Sequence, residues 1–251
     1  MKKKIWITGA SSGIGKSLAI KFADEGWNVA ASARRENLLQ ELSEENESIY
    51  SFPLDVKDSL NTKKVFNNIV EKFGSIDICV FCTGIHDPIA DRKIDIDKIK
   101  EIMEINFFGT LNCISAVTKH FKEKKNGQIS IVASLAGYRG LPGASGYSAS
   151  KAALINLTES LYFYFKRFNV RISLVNPGFI RTPMTDKNDF PMPMMKTSEF
   201  AAERMFKGLT KKNSFEISFP KVFSFILSIL KILPNWLYFK IVGTTYKLWK
   251  D

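Results

Sequence analysis

Near its beginning the chain reads Thr8-Gly9-Ala10-Ser11-Ser12-Gly13-Ile14-Gly15, directly after the apolar residues Ile5-Trp6-Ile7. The amphipathic pattern of residues 14–25 follows, so the glycines lie between a predicted strand and a predicted helix. Backbone N–H groups and the positive end of a helix in such a turn can face a pyrophosphate. A plain turn is the alternative interpretation. We predict a dinucleotide site with contacts from Gly9, Ser11, Ser12, Gly13, Ile14 and Gly15.

Short apolar runs alternate with longer amphipathic segments along most of the chain. The apolar runs predict strands at 5–8, 29–32, 50–54, 76–81, 128–132 and 170–175. The amphipathic segments predict helices at 14–25, 59–73, 98–122 and 147–168. This order is typical of an α/β fold, a Rossmann-like, doubly wound parallel sheet in a single domain. Ligands bind such sheets beyond the carboxyl ends of the strands, where the glycine turn is expected.

The composition, 45% hydrophobic and 24% charged over 251 residues, is ordinary for a soluble globular protein with one core. The net charge of +11 favours an anionic partner, which could be a phosphorylated cofactor, an acidic substrate, a membrane surface or nucleic acid. The lysines are scattered and no nucleic-acid-binding motif is visible. We therefore expect no nucleic-acid partner.

The first residues and the three cysteines favour a cytoplasmic location. No apolar segment of a signal peptide follows the lysines at positions 2–4, and an odd number of cysteines argues against a disulfide framework. Cys79 and Cys82 have C-x-x-C spacing within an apolar run, where packing is favoured over redox or zinc chemistry. His86 and His120 lack metal-ligand spacing and are predicted to be surface or loop residues, so no metal is expected.

Two arginines, Arg34 and Arg35, follow the second predicted strand. An acidic residue at this place would accept hydrogen bonds from a ribose 2′-hydroxyl, whereas an arginine pairs with a 2′-phosphate. The sequence therefore predicts NADP(H) in preference to NAD(H). The alternative is that both arginines are merely solvated residues after a strand.

Tyr147 and Lys151 lie one helical turn apart in a predicted helix. A phenol can exchange a proton with a carbonyl oxygen, but its ordinary pKa of about 10 is poorly matched to neutral pH. An ammonium on the same helical face stabilises the phenolate and lowers that pKa. We predict that Tyr147 is a general acid and that Lys151 assists it.

The motifs follow one another in a recognisable order: the glycine turn, Asn106, Ser134, Tyr147-Ser148-Ala149-Ser150-Lys151 and Pro177-Gly178. This set resembles the short-chain dehydrogenases/reductases over roughly the first three-quarters of the chain. The resemblance implies an oxidoreductase that transfers hydride between a nicotinamide cofactor and a carbonyl or alcohol carbon. It also implies a homo-dimer or homo-tetramer. A catalytically silent NADPH-binding or membrane-docking protein is the alternative.

The resemblance assigns roles to the matched residues. Ser134 would hydrogen-bond the substrate oxygen. Tyr147 and Lys151 would also contact the cofactor, Lys151 at the nicotinamide ribose. Asn106 would hold a water that links Lys151 to solvent, with helix kinking or capping as the alternative. Pro177, Gly178 and Thr182 would orient the nicotinamide.

Asp55 and Val56 resemble the family's adenine-contacting pair, although Asp55 could equally cap the next helix. Where the family usually has Asn-Asn-Ala-Gly, this chain has Phe81-Cys82-Thr83-Gly84. Gly84 is retained as a cofactor contact. We expect the altered residues to change packing rather than the chemistry.

The residues after Thr182 divide into a substrate loop, about 183–198, and an extension, 217–251, beyond a catalytic domain of residues 1–216. Met184, Met192, Met194 and Met195 lie in the loop, where they could form a lid for a lipophilic carbonyl or alcohol, or simply pack in the core. The extension is apolar at 222–230 but too short to span a bilayer. Residues 219–251 carry five lysines and one aspartate, a charge compatible with peripheral membrane contact. An equal alternative is that the extension forms a lid over the substrate cleft or a subunit interface.

Overall fold

The computed structural model describes residues 2–88, 93–211 and 214–247. Within these residues the strands form a seven-stranded, fully parallel sheet in the order β3-β2-β1-β4-β5-β6-β7. The strands are β1 Lys4–Thr8, β2 Asn28–Ser32, β3 Ile49–Ser51, β4 Ile78–Phe81, β5 Gln128–Val132, β6 Arg171–Pro177 and β7 Glu216–Phe219. The predicted Rossmann-like sheet is therefore confirmed.

Helices connect these strands and follow the last of them. They are α1 Gly13–Asp24, α2 Glu36–Glu45, α3 Ser59–Phe73, α4 Ile96–Met103, α5 Gly109–Lys124, α6 Ser145–Lys166, α7 Ser198–Thr210, α8 Lys221–Ile232 and α9 Asn235–Lys247. Residues 183–197, between β6 and α7, form an irregular loop with a short 3₁₀ turn at Thr185–Lys187.

The apolar core lies on both faces of the sheet because successive side chains of a strand point to opposite faces. Ile5 and Ile7 of β1 belong to one buried cluster together with α1 and α7. Trp6, between them, belongs to a second cluster with α3, α5 and α6. The buried Trp6 indole donates a hydrogen bond to Ser32 Oγ at 2.9 Å, so its polar atom is satisfied. Two-sided burial explains the nearly continuous apolar runs of these strands.

The order of the strands reverses between β1 and β4. These two strands pair directly, with Thr8 opposite Phe81, and Thr8 Oγ1 accepts a hydrogen bond from the backbone N–H of Cys82 at 3.2 Å. The chain leaves them in opposite directions, because β2 lies beside β1 and β5 lies beside β4. The loops that follow β1 and β4 are thereby separated and open a crevice, as expected for this class of sheet.

Strand β7 was missed by the sequence analysis, and it crosses the boundary placed between residues 216 and 217. It pairs with β6, and its side chains of Ile217 and Phe219 are buried. A four-residue strand with only two apolar side chains has too weak a pattern to be recognised alone. The sheet therefore continues to Phe219, and that boundary is wrong by three residues.

The predicted single helix at 98–122 is interrupted by a π-helical turn, Glu104–Phe108, between α4 and α5. Gly109 follows the turn where the backbone passes close to Val56. A Cβ at Gly109 would lie 2.5 Å from Val56 Cγ2. Such turns are often found at functional sites, and this one contains the buried Asn106.

Candidate active site

A cavity of about 560 Å³ lies beyond the carboxyl ends of the central strands. All but one of the predicted catalytic and cofactor-binding residues line it. They are Gly9, Ser11, Ser12, Gly13, Ile14, Gly15, Arg34, Arg35, Asp55, Val56, Gly84, Ser134, Tyr147, Lys151, Pro177, Gly178 and Thr182. The exception is Asn106, which does not line the cavity.

The glycine turn forms the floor of this cavity at the start of α1. Gly9 has a φ of +72°, which a residue with a side chain rarely adopts. A Cβ at Gly15 would lie 2.2 Å from the carbonyl oxygen of Gly9, so the turn and the helix can pack this closely only without a side chain. Ser12, the N-cap residue, makes no side-chain capping bond. The first N–H groups of α1 therefore remain for a bound anion.

Arg35 lies beside the glycine turn. Its Nη2 donates hydrogen bonds to Ser11 Oγ at 2.8 Å and to Ser12 Oγ at 2.6 Å. Arg34 lines the same cavity. The wall next to the turn therefore combines two guanidinium groups with two hydroxyls, a set of donors suited to a phosphate.

Asp55 lines the cavity but does not cap the helix that follows it. Its Oδ1 accepts a hydrogen bond from the backbone N–H of Lys57 at 3.0 Å. The N-cap of α3 is Asp58, which accepts from the backbone N–H of Asn61 at 2.9 Å. The capping interpretation of Asp55 is therefore wrong, and Asp55 is held at the cavity wall with Val56.

Tyr147 and Lys151 lie on α6 and face the cavity from its buried side. Lys151 Nζ is 5.6 Å from the centre of the Tyr147 ring and donates a hydrogen bond to the backbone carbonyl of Val132 at 3.0 Å. Burial raises the pKa of Tyr147 to about 12 and lowers the pKa of Lys151 to about 8. Desolvation of the phenolate is the largest effect on Tyr147 in this geometry, so its pKa is raised overall, and the assistance expected from Lys151 stays a prediction.

Ser134 is positioned next to the Tyr147 hydroxyl. It precedes the 3₁₀ turn Leu135–Gly137, and its Oγ accepts a hydrogen bond from the backbone N–H of Ala136 at 3.1 Å. A hydrogen bond between the Ser134 and Tyr147 side chains lowers the pKa of Tyr147 and partly offsets the effect of burial. Two adjacent hydroxyls can therefore bind one substrate oxygen.

Asn106 supports the site from behind the cavity. Its Oδ1 accepts from the backbone N–H of Ile85 at 2.8 Å, and its Nδ2 donates to the Ile85 carbonyl and to Ser150 Oγ, both at 3.0 Å. The side chain thus ties the loop after β4 to α6. Asn106 lies in a π-helical turn, so the helix is distorted at this residue, as the kinking interpretation expects. The water relay stays a prediction.

The loop after β6 closes the opposite side of the cavity. Gly178 N–H donates to the carbonyl of Phe219 at 2.8 Å, which fixes the loop to β7. Thr182 N–H donates to Thr185 Oγ1 at 2.9 Å. A Cβ at Gly13 would lie 2.9 Å from Thr182 Cγ2, so this loop and the glycine turn approach each other across the site.

Two residues of the site were not recognised from the sequence. The His86 ring lies 4.6 Å from the ring of Tyr147, centre to centre, and His86 lines the cavity. Only its position two residues after Gly84 could have indicated this. Cys82 also lines the cavity, and burial raises the pKa of its thiol to about 11. All three cysteines are free thiols, so the packing interpretation of Cys79 and Cys82 agrees with the structure.

His120 lies away from the cavity and is half-buried. Its Nε2 accepts a hydrogen bond from the backbone N–H of Ile76 at 3.3 Å, and its ring contacts Phe66 and Phe121. Burial lowers its pKa. The prediction of a surface residue is therefore wrong for His120, which has a packing role.

Comparisons with known proteins agree with this geometry. Residues 3–191 match the family model described as short chain dehydrogenase. An uncharacterized oxidoreductase of Myxococcus xanthus is 34% identical over 233 residues, 91% of this chain and 92% of that protein. The 3-oxoacyl-acyl-carrier-protein reductase FabG of Thermotoga maritima is 35% identical over 185 residues, 72% of this chain and 75% of that protein.

A solved structure of ElxO with NADP bound is similar throughout the fold. It has a TM-score of 0.76 and 27% sequence identity, and the match covers 87% of this chain and 98% of that one. The glycine turn, the Ser134, Tyr147 and Lys151 cluster and the family match all point to the same chemistry. This chain belongs to the short-chain dehydrogenases/reductases, oxidoreductases that bind a nicotinamide cofactor and act on carbonyl or alcohol groups.

Proposed function

We propose that this enzyme uses NADP(H) in preference to NAD(H) and reduces a lipophilic carbonyl compound to an alcohol. The observation that supports the cofactor preference most strongly is the hydrogen bonding of Arg35 with Ser11 and Ser12 beside the glycine turn. A 2′-phosphate at this position would be bound by guanidinium groups from Arg34 and Arg35, both of which line the cavity.

The residues of the site have distinct tasks in this reaction. The chemistry supplied by the bound nicotinamide is transfer of a hydride to the carbonyl carbon. As the C=O bond becomes a C–O bond, Tyr147 donates its hydroxyl proton to the oxygen, and Ser134 donates a hydrogen bond to it. Lys151 provides positive charge beside the phenolate that remains. A phenol with a raised pKa is protonated at neutral pH, which suits reduction.

Replacing Arg35 by alanine should weaken binding of NADPH roughly 10- to 100-fold, since charge-assisted hydrogen bonds to a phosphate are lost. Binding of NADH, which lacks the 2′-phosphate, should change less than about twofold. Fluorescence titration of both cofactors measures the two affinities. Arg167→Ala is the control, because it removes the same charge from an exposed arginine outside the cavity. Equal loss for both cofactors would contradict the proposed preference.

The proposed lipophilic substrate is supported by the substrate loop. Met184 lines the cavity, and none of Met184, Met192, Met194 and Met195 is buried, so these side chains do not serve core packing. Phe179 and Phe190 lie with ring centres 6.1 Å apart beside the loop. Flexible thioethers and aromatic rings at a cavity mouth suit an apolar ligand of irregular shape.

We expect kcat/KM for NADPH-dependent reduction to rise with the apolar size of the ketone. Each buried methylene group contributes about 0.8 kcal/mol, close to a fourfold change. Met184→Ser should then lower kcat/KM on order of tenfold for long-chain ketones and much less for short ones. Met194→Ser is the matched control, because Met194 is exposed and does not line the cavity. A preference for small polar ketones would overturn the proposed substrate class.

A further inference from the structure

The exposed apolar side chains of this protein are concentrated at one place. Of the fourteen large hydrophobic residues that are exposed in the described parts of the chain, eight lie between residues 222 and 241. We call these eight side chains the C-terminal apolar face. They are Val222, Phe225, Ile226, Ile229, Ile232, Trp236, Phe239 and Ile241.

Helix α8 directs this face away from the body of the protein. Its inner side carries Ser224 and Leu227, which are buried, and Phe223, whose ring lies 5.6 Å from that of Phe179. The larger apolar side chains, including Phe225 and Ile229, are on the solvent side. This arrangement is the reverse of an ordinary surface helix, in which apolar residues face the core.

Arg139 fixes both C-terminal helices to the body. Its guanidinium donates to the carbonyls of Leu230 at 3.0 Å and Leu233 at 2.6 Å, and it lies 4.0 Å from the centre of the Tyr238 ring. Tyr238 is buried, and its hydroxyl donates to the carbonyl of Gly140. The apolar face is therefore held outward by specific contacts.

The positive charge around the C-terminal apolar face favours an anionic partner. Lys221, Lys231 and Lys240 are exposed on the same two helices, and the sequence has no Asp or Glu from 217 to 250. A second copy of the chain would bring the same positive charge to the contact, which is unfavourable. An anionic bilayer surface offers both an apolar layer and negative headgroups.

We propose that the C-terminal apolar face docks this enzyme onto anionic lipid bilayers, with α8 and α9 lying in the interface. Within the described residues, no helix is long and apolar enough to cross a membrane, which agrees with attachment at the surface. Phe179 follows the cavity-lining Gly178 and contacts Phe223 of α8, so docking brings the substrate side of the cavity close to the lipid. This proposal does not depend on the cofactor or substrate assignments.

Cosedimentation of the full chain with vesicles tests the proposal. We expect binding to vesicles of phosphatidylcholine with phosphatidylglycerol, much weaker binding to phosphatidylcholine alone, and a decline with added salt. Phe225→Gln with Ile229→Gln should lower the partition coefficient on the order of tenfold or more. Replacing Lys221, Lys231 and Lys240 by Gln should lower it by about fivefold for each lysine.

Matched controls separate docking from general surface effects. Leu60→Gln with Phe163→Gln removes two apolar side chains that are 77% and 72% exposed outside the face, and it should leave vesicle binding unchanged. Reduction of a water-soluble ketone should be equal in all these variants. Failure of the wild type to sediment with anionic vesicles would overturn the proposal. So would equal binding by the Phe225 and Ile229 variant, or a dimer in solution that this variant dissociates.

Discussion

Replacing Tyr147 by phenylalanine should lower kcat for ketone reduction by about 10²- to 10⁴-fold, the range expected when a general acid is removed. The phenyl ring keeps most of the volume of the partly buried side chain, while the proton that the substrate oxygen receives is lost. Affinity for NADPH should remain within about twofold, because the aromatic ring is kept and the lost hydroxyl is hydrogen-bonded to the Ser134 side chain. Steady-state NADPH oxidation and a fluorescence titration measure the two quantities.

Tyr138→Phe is the matched control for this result. The Tyr138 hydroxyl bonds Glu216 and lies outside the cavity, so its removal should leave kcat within a few-fold of the wild type. A Tyr147→Phe variant with full activity would remove Tyr147 from the mechanism. A wild type that binds NADPH but reduces no ketone would favour a catalytically silent NADPH-binding protein.

The main features of the site could be predicted from the sequence because they depend on local spacing. Tyr147 and Lys151 are four residues apart in a helix, so they share a face in any fold. The glycine turn is likewise defined by a strand and a helix that adjoin it in sequence. Parallel strands then bring the turn, Gly84, Ser134 and Gly178 to one edge of the sheet without further information.

Features that depend on distant contacts could not be predicted in the same way. The π-helical turn around Asn106 accompanies a close approach to Val56 and hydrogen bonds to Ile85, neither of which has a local pattern. His86 reaches Tyr147 only because the loop after β4 folds over α6. Strand β7 is recognisable as a strand through its pairing with β6.

The direction of the pKa changes also required the structure. From spacing alone, an ammonium near a phenol is expected to favour the phenolate. The structure shows that Lys151 is buried, that Tyr147 is partly buried, and that Lys151 donates to the uncharged carbonyl of Val132. Desolvation then favours the neutral form of each group, which raises the pKa of Tyr147 and lowers that of Lys151.

Replacing Lys151 by methionine should make the protein more stable at neutral pH while it loses activity. The folded protein holds Lys151 with a pKa of about 8, below its ordinary value of 10.5. That difference corresponds to about 3 kcal/mol of unfavourable free energy for the buried ammonium. Loss of the hydrogen bond to Val132 offsets about 1 kcal/mol of the gain. The expected increase in the free energy of unfolding is therefore about 1–2 kcal/mol at pH 7.

The pH dependence distinguishes this explanation from improved packing. Between about pH 8 and pH 10.5, Lys151 is protonated in the unfolded protein but has released its proton in the folded protein. The contribution of Lys151 to the free energy of unfolding of the wild type therefore rises with pH in this range. The advantage of Lys151→Met should be full below pH 8 and should disappear as the pH approaches 10.5. Tyr147 has a pKa of about 12 in the folded protein, so it stays protonated in both folded proteins at pH 10 and its titration cancels in the comparison. Urea denaturation of both proteins at pH 7 and pH 10 measures the effect.

Lys124→Met is the control for a lysine that is paired with a carboxylate. Lys124 Nζ pairs with Asp77 Oδ1 and bonds the carbonyl of Ile76, both at 2.8 Å, so this substitution should lower stability at pH 7. If Lys151→Met were also less stable than the wild type at pH 7, the ammonium would be a stabilising group rather than a strained one. Lower activity of Lys151→Met together with higher stability would show that the buried charge is kept for catalysis, since it opposes folding and assists the proton transfer by Tyr147.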